Sequence, residues 1–204
     1  MASGIIYILI NEAMPGYVKI GKTEGPLERR MRGLDTTGVP LPFECFYAAK
    51  VDDVDFVEKQ LHQTFDFLRI RGNREFFKVD PANVAAALKL RAQEDMTPKS
   101  DVVEGPDDQR ALDEARRVGG KYNMAMADIP VGTILEFVKA QSLTCTVSGK
   151  HDVEYEGQSM SLSKAALVAI QTLGYEWTSI SGPEYWMYEG ESLSHRRMRM
   201  ETED

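Results

Sequence analysis

The feature that most constrains how this chain folds is a pair of β-branched runs near its start. Residues 4–10 read Gly-Ile-Ile-Tyr-Ile-Leu-Ile, a run of strand length. Tyr17-Val18-Lys19-Ile20 is a second such run, after the turn-forming stretch from Asn11 to Gly16, and the two predict a hairpin with a loop. Pro26 suits the first turn of a helix, along which Leu27, Met31 and Leu34 recur at helical spacing until Thr36-Thr37-Gly38 breaks the pattern. Residues 43–51 make a third strand. Asp52-Asp53 or Asp55 then caps a helix with the apolar stripe Val57, Leu61, Thr64 and Leu68, beside which Glu58 and His62 stack one turn apart. Residues 74–79 read as a short closing strand and residues 83–90 as an Ala-rich helix. The expectation for residues 1–91 is an α/β domain, more narrowly α+β, with a small antiparallel three-stranded sheet flanked by helices.

From residue 92 to about 108 large apolar residues become scarce, and such a stretch buries too little surface to offset its ordering entropy. Residues 92–120 are therefore expected to be an acidic flexible linker, with room for a short helix over 109–118 through Ala111, Leu112 and Ala115. A second small α+β domain is expected over 121–204, with strands at 133–138, 143–147, 153–155 and 185–188 and a helix over 163–173.

No apolar run approaches the roughly 18–20 residues that cross a bilayer, and the first residues carry no basic segment of the kind a secretory signal shows. The expectation is a cytoplasmic protein with no membrane partner. Cys45 and Cys145 stand a hundred positions apart without metal-ligand spacing and read as buried free thiols. The net charge of −8 sits uneasily with a polyanionic partner, but its distribution is uneven. Residues 1–90 carry 12 Lys and Arg against 12 Asp and Glu, whereas residues 91–204 carry 12 against 20. Within the balanced half, Lys19, Lys22, Arg29, Arg30 and Arg32 fall in one short stretch opposed by Glu24 and Glu28, which is compatible with a phosphate-facing patch.

Gly4-Ile-Ile-Tyr7, Lys19-Ile-Gly-Lys22, Arg29 eight residues after Gly21, and Glu58 on the later helix follow one another as in the GIY-YIG nuclease superfamily. With Glu58-Lys-Gln-Leu-His62 and Arg74-Glu-Phe-Phe77, residues 3–80 resemble a divergent branch of it found in phage and bacterial reading frames, with KIG in place of YIG. The resemblance implies a metal-dependent endonuclease that hydrolyses DNA, nicks it as a monomer, and leaves 5′-phosphate and 3′-hydroxyl ends. Phosphodiester hydrolysis needs an activated water, a Lewis acid and cations for the charge of the transition state. Tyr7 and Lys19 are the candidates for activating water, and neighbouring cations would lower the ordinary phenol pKa of about 10. Glu58 is the candidate ligand for one Mg²⁺ or Mn²⁺ ion. Arg29 would hold the scissile phosphate, with Lys22, Tyr17 and Arg32 as further substrate contacts. His62 would contact phosphate, hold a water of the metal or protonate the leaving group.

The chain departs from the family where Lys19 replaces the second tyrosine. The base therefore stays open between Tyr7, Lys19 and Tyr17, and Asn73 and Glu75 compete for the place of a late asparagine. Phe76 and Phe77 read as core rather than as a stacking platform. If the lysine marks lost chemistry, the chain is a catalytically inactive adaptor for nucleic acid or protein.

Residues 122–199 resemble the small module associated with restriction enzymes and adenine methylases, through residues 153–157, 161–166, 182–186 and 190–193. That resemblance implies recognition of nucleic acid, with modified DNA as one candidate target. Ser161 or Ser163 is placed to cap a helix, and Trp186 and Tyr188 suit either a core or base stacking. Arg196, Arg197 and Arg199 are the module's basic cluster.

Overall fold

The computed structural model describes residues 2–118 and 122–203, which group into two compact units divided between Leu112 and Asp113. The first unit contains β1 (Gly4–Ile10), β2 (Tyr17–Thr23), α1 (Leu27–Arg32), β3 (Glu44–Val51), α2 (Val54–Thr64), β4 (Phe76–Lys78), α3 (Pro81–Lys89) and β5 (Glu94–Asp95). A helix that crosses the division, α4 (Pro106–Val118), follows.

The strands of the first unit form one antiparallel sheet in the order β4-β2-β1-β3-β5. The expected three-stranded sheet is thus corrected to five. Its centre is the anticipated set β1, β2 and β3, and short strands have been added at both edges. Because β1 is central, both of its faces are covered, which explains an apolar run with no alternation. Tyr7 and Leu9 pack with Leu27 and Met31 of α1 and with Phe43 and Cys45. On the opposite face α2 and α3 lie against the sheet, burying Val54, Val57, Leu61, Val84 and Leu88. Asp53 caps α2 by accepting from the Phe56 amide at 3.2 Å, and Asp80 caps α3 by accepting from the Ala82 amide at 2.9 Å. The α2 helix stops at Thr64, so Leu68 belongs to a separate 3₁₀ turn, Asp66–Leu68, and not to the expected continuous stripe.

The stretch expected to be a linker carries β5 and the whole of α4. Its few apolar residues suffice because its backbone is held by β3. The Gln93 and Met96 amides donate to Lys50 O and Ala48 O at 2.9 and 2.8 Å, and Thr97 Oγ1 accepts from the Ala48 amide at 3.1 Å. Met96 and Val102 then pack against the cluster that contains Tyr7.

The second unit contains β6 (Ile134–Phe137), β7 (Ala140–Val147), β8 (Asp152–Tyr155), β9 (Gln158–Ser161), α5 (Leu162–Thr172), α6 (Gly182–Tyr185), β10 (Trp186–Tyr188), β11 (Glu191–Ser192) and α7 (Leu193–Glu203). Its antiparallel sheet runs β11-β10-β6-β7-β8-β9. Two hairpins turn on dipeptides with positive φ at both positions, Glu156-Gly157 (51° and 75°) and Glu189-Gly190 (55° and 78°), the geometry of a tight two-residue turn. An aromatic core joins Phe137 to Trp186 at 5.0 Å, Trp177 to Tyr185 at 5.6 Å and Tyr155 to Trp186 at 5.9 Å. Trp186 is fully buried and donates from Nε1 to Leu162 O at 3.2 Å, so it belongs to the core and not to a stacking surface.

Ser161 is the cap of α5, whereas Ser163 accepts from the Gly182 amide at 3.1 Å. The expected basic cluster is spent internally: Arg199 pairs with Glu191 at 2.9 Å, and Arg196 donates to Ala127 O at 2.8 Å and reaches Glu189 at 3.3 Å. Both cysteines are buried, and burial pushes the Cys145 thiol up to about 12. Among the described residues no helix is long and apolar enough to cross a membrane.

Candidate functional site

The site is built where the sheet loses a strand. On its outer side β2 pairs with β4 only over Tyr17–Lys19, and one further backbone bond joins the Ile20 amide to Glu75 O at 3.1 Å. The Ile20 carbonyl is then taken by a side chain, since His62 Nε2 donates to it at 3.0 Å. Beyond that point Gly21, Lys22 and Thr23 have β1 on one side and no strand on the other among the described residues. Side chains from both faces of the sheet can converge around this open edge.

One face supplies Tyr7, Lys19 and α1. Tyr7 is paired directly with Gly21, and its ring lies across that glycine so closely that an added Cβ would sit 2.6 Å from Oη and 2.7 Å from Cε2 and Cζ. Glycine is required here by packing against the phenol. Gly21→Ala is expected to cost about 1–3 kcal/mol in chemical denaturation, the range for overpacking. Tyr7→Phe should not recover it, because the clash includes the ring carbons.

The α1 helix decides which arginine meets the phenol. Leu27 and Met31 are its buried residues, and at about 100° per residue Arg29 points away from them while Arg30 flanks them. Accordingly Arg30 Nε donates to Tyr7 Oη at 3.1 Å. Arg29, the expected phosphate ligand, is exposed, as are Arg30 and Arg32, and a Cβ added at Gly25 would lie 3.1 Å from the Arg29 guanidinium. Tyr17 lies on the strand face of Lys19, as expected from period two, and is 39% exposed.

The other face supplies Lys22, Asp55, Glu58 and His62. Lys22 Nζ is 2.9 Å from Glu58 Oε2 and also pairs with Asp55. The Asp55 and Glu58 hydrogen bonds together raise the Lys22 pKa, which keeps the ammonium charged. His62 packs its ring on Phe77 at 5.3 Å while bonded to Ile20. A carbonyl only accepts, so Nε2 carries the proton and any proton transfer is left to Nδ1. Lys19 is 7% exposed and pairs with Glu75 at 2.5 Å, its ammonium 5.5 Å from the Phe76 ring centre. Phe77 is wholly buried.

These charges act on one another. Burial pushes the Tyr7 phenol above its ordinary value, and Glu75 and Glu58 add to the rise while Arg30 opposes it. The expected lowering by neighbouring cations is therefore outweighed, and Tyr7 is a neutral phenol at physiological pH. Burial also pushes the Glu75 carboxyl up, but its bond to Lys19 and the charges of Lys19, His62 and Arg30 more than reverse this and hold it ionised. Glu75 and Arg30 thus join the cluster, Arg30 legible in the sequence only as part of the basic stretch and Glu75 only as a competitor for the place of the late asparagine.

Among the described residues no three His, Cys, Asp or Glu side chains gather to cage a metal. The donor set nevertheless fits a hard divalent ion that keeps most of its waters, which takes one or two carboxylates plus phosphate oxygens. Glu58, with its side chain 16% exposed, is such a carboxylate.

Residues 4–91 match the T5orf172 domain. The match covers the hairpin, α1, the open edge of β2 and the face of α2 that carries Glu58, and it is compatible with a nuclease-like role in binding DNA. The T5orf172 region ends three residues before β5, so the match bears on the first unit only. No curated protein and no solved structure matches the chain.

Proposed function

We propose that the first unit is a metal-dependent endonuclease of GIY-YIG type that hydrolyses DNA phosphodiesters. The observation that carries this reading is the convergence of Tyr7, Arg30, Lys22, Glu58 and Glu75 around the open edge of β2 at Gly21. Glu58 would hold one Mg²⁺ or Mn²⁺ ion, which supplies a Lewis acid for the phosphoryl oxygens. Arg30 offers a planar cationic fork for a phosphate while its Nε fixes the Tyr7 hydroxyl. Tyr7, neutral and held on one side, orients the attacking water through its oxygen. The water oxygen bonds to phosphorus and loses a proton to solvent, the bond from phosphorus to O3′ breaks and O3′ takes up a proton from solvent, and the ends are a 5′-phosphate and a 3′-hydroxyl. His62 braces the open edge by replacing the missing ladder bond on Ile20. Lys19 keeps Glu75 ionised.

A second reading rests on the Lys22–Glu58 pair, whose ammonium sits on the carboxylate a metal would use. Under it the unit is a non-catalytic DNA-binding adaptor. Incubating supercoiled plasmid with the full chain and Mg²⁺ or Mn²⁺ separates the two. The nuclease reading expects open-circular product, as one active centre cuts one strand, and expects none with chelator. Binding of supercoiled, single-stranded and branched DNA with no cleavage of any of them would establish the adaptor.

A further inference from the structure

The second unit holds a cavity of about 360 Å³ at the start of α5, and its lining is unlike the rest of that unit. Residues 113–204 contain 9 Lys and Arg and 14 Asp and Glu. Three of those cations, Arg116, Arg117 and Lys164, line this cavity together with His151, and no carboxylate does among the described residues. Such a concentration of one sign in an acidic unit costs repulsion, which an anionic occupant would relieve.

The cations are set at different depths. The Arg116 side chain is 1% exposed, and Nη1 donates to both the carbonyl and the hydroxyl of Ser179 at 3.0 Å, which fixes the guanidinium. Asp113 lies behind it, 4.0 Å from Arg116 and hydrogen-bonded to the Ser179 and Thr178 hydroxyls, so it holds the wall in place without lining the cavity. His151 donates from Nδ1 to Tyr122 O at 2.9 Å, which leaves Nε2 as its second polar atom. Arg117 and Lys164 are exposed at the rim. Leu162, Leu167, Ile180 and Pro183 supply an apolar portion of the wall.

A buried guanidinium fixed by hydrogen bonds, two exposed cations and an apolar wall suit a compact anion attached to a less polar body. We infer that this cavity binds the terminal phosphate of a nucleotide, a phosphomonoester carried by a free mononucleotide or by the 5′ end of a DNA strand. The phosphate would sit between Arg116, Arg117 and Lys164, and the sugar or base would lie on the apolar wall. This inference is independent of the chemistry assigned to the first unit.

The test is isothermal titration of the full chain with 5′-dCMP, deoxycytidine, inorganic phosphate, and a short DNA duplex with either 5′-phosphate or 5′-hydroxyl ends. Binding of 5′-dCMP but not deoxycytidine is expected. If the source is a DNA end, the phosphorylated duplex binds more tightly than its hydroxyl counterpart; if the source is a free nucleotide, the two duplexes bind alike while 5′-dCMP still binds. The double variant Arg117→Ala/Lys164→Ala, confined to the exposed rim, should weaken 5′-dCMP by about tenfold or more, as expected for loss of charge-assisted hydrogen bonds. Glu58→Gln/Arg30→Ala, in the first unit, should leave that binding unchanged. Equal binding of 5′-dCMP and deoxycytidine, unchanged affinity in the rim variant, or loss in the first-unit variant would each overturn the assignment.

Discussion

Glu58→Gln is expected to lower metal-dependent nicking by about 10³-fold or more, the scale of a Lewis acid's contribution to phosphoryl transfer. Glutamine matches glutamate in shape and keeps an oxygen for Lys22, so the 2.9 Å contact can persist as a neutral hydrogen bond while the carboxylate charge is lost. The fold should survive, since Val54, Val57 and Leu61, not Glu58, are the residues that seat α2 on the sheet. Two measurements check this: the nicking rate at saturating Mn²⁺, and Mn²⁺ affinity by titration. Retained nicking in Glu58→Gln would remove this carboxylate from the mechanism and leave the cluster without a metal ligand. Lost nicking with unchanged Mn²⁺ affinity would place the ion elsewhere.

The second large effect falls on an arginine that the family spacing passes over. Arg30→Ala is expected to lower the nicking rate by about 10²–10³-fold, the scale for removing one preorganised donor from a developing charge. Arg29→Ala should cost no more than about tenfold, as a solvated cation near a polyanion does. The difference rests on the 3.1 Å bond that fixes Arg30 to Tyr7, since both arginines are exposed. Arg30→Lys distinguishes charge from geometry, because lysine keeps the charge but lacks the fork and the Nε donor. If Arg29→Ala is the more damaging change, the substrate approaches from the outer face of α1, and Tyr7 is packing rather than machinery.

The sequence made the hairpin, the first helix, the third strand and the Glu58–His62 stack legible, because each rests on local periodicity and turn chemistry. The same periodicity also placed Arg30, and not Arg29, beside the phenol. Once Leu27 and Met31 are taken as the buried face, Arg29 lies opposite it and Arg30 beside it. Glu75 was harder to assign. Its partner Lys19 is 56 positions earlier, and only the pairing of β4 with β2 brings them together. The rise in the Tyr7 pKa is also non-local, since burial depends on packing by Met96 and Val102 as well as by α1. In the second unit β9 and β11 escaped notice, although each follows a Glu-Gly dipeptide with positive φ at both residues, a weaker written signal than Asn-Gly for the same turn.

The strand pair between β5 and β3 separates two boundaries that would otherwise be taken as one. The T5orf172 region closes at residue 91, yet Gln93, Met96 and Thr97 still supply hydrogen bonds to Lys50 and Ala48. A fragment cut at the family boundary would bare the outer rim of β3, with its row of unpaired amides and carbonyls, and uncover the apolar cluster around Tyr7. Such a rim is a template for a strand of another molecule. Self-association, and not lost chemistry, would then be the first defect of the truncated domain, and an inactive fragment of that length would say nothing about the catalytic competence of the full chain.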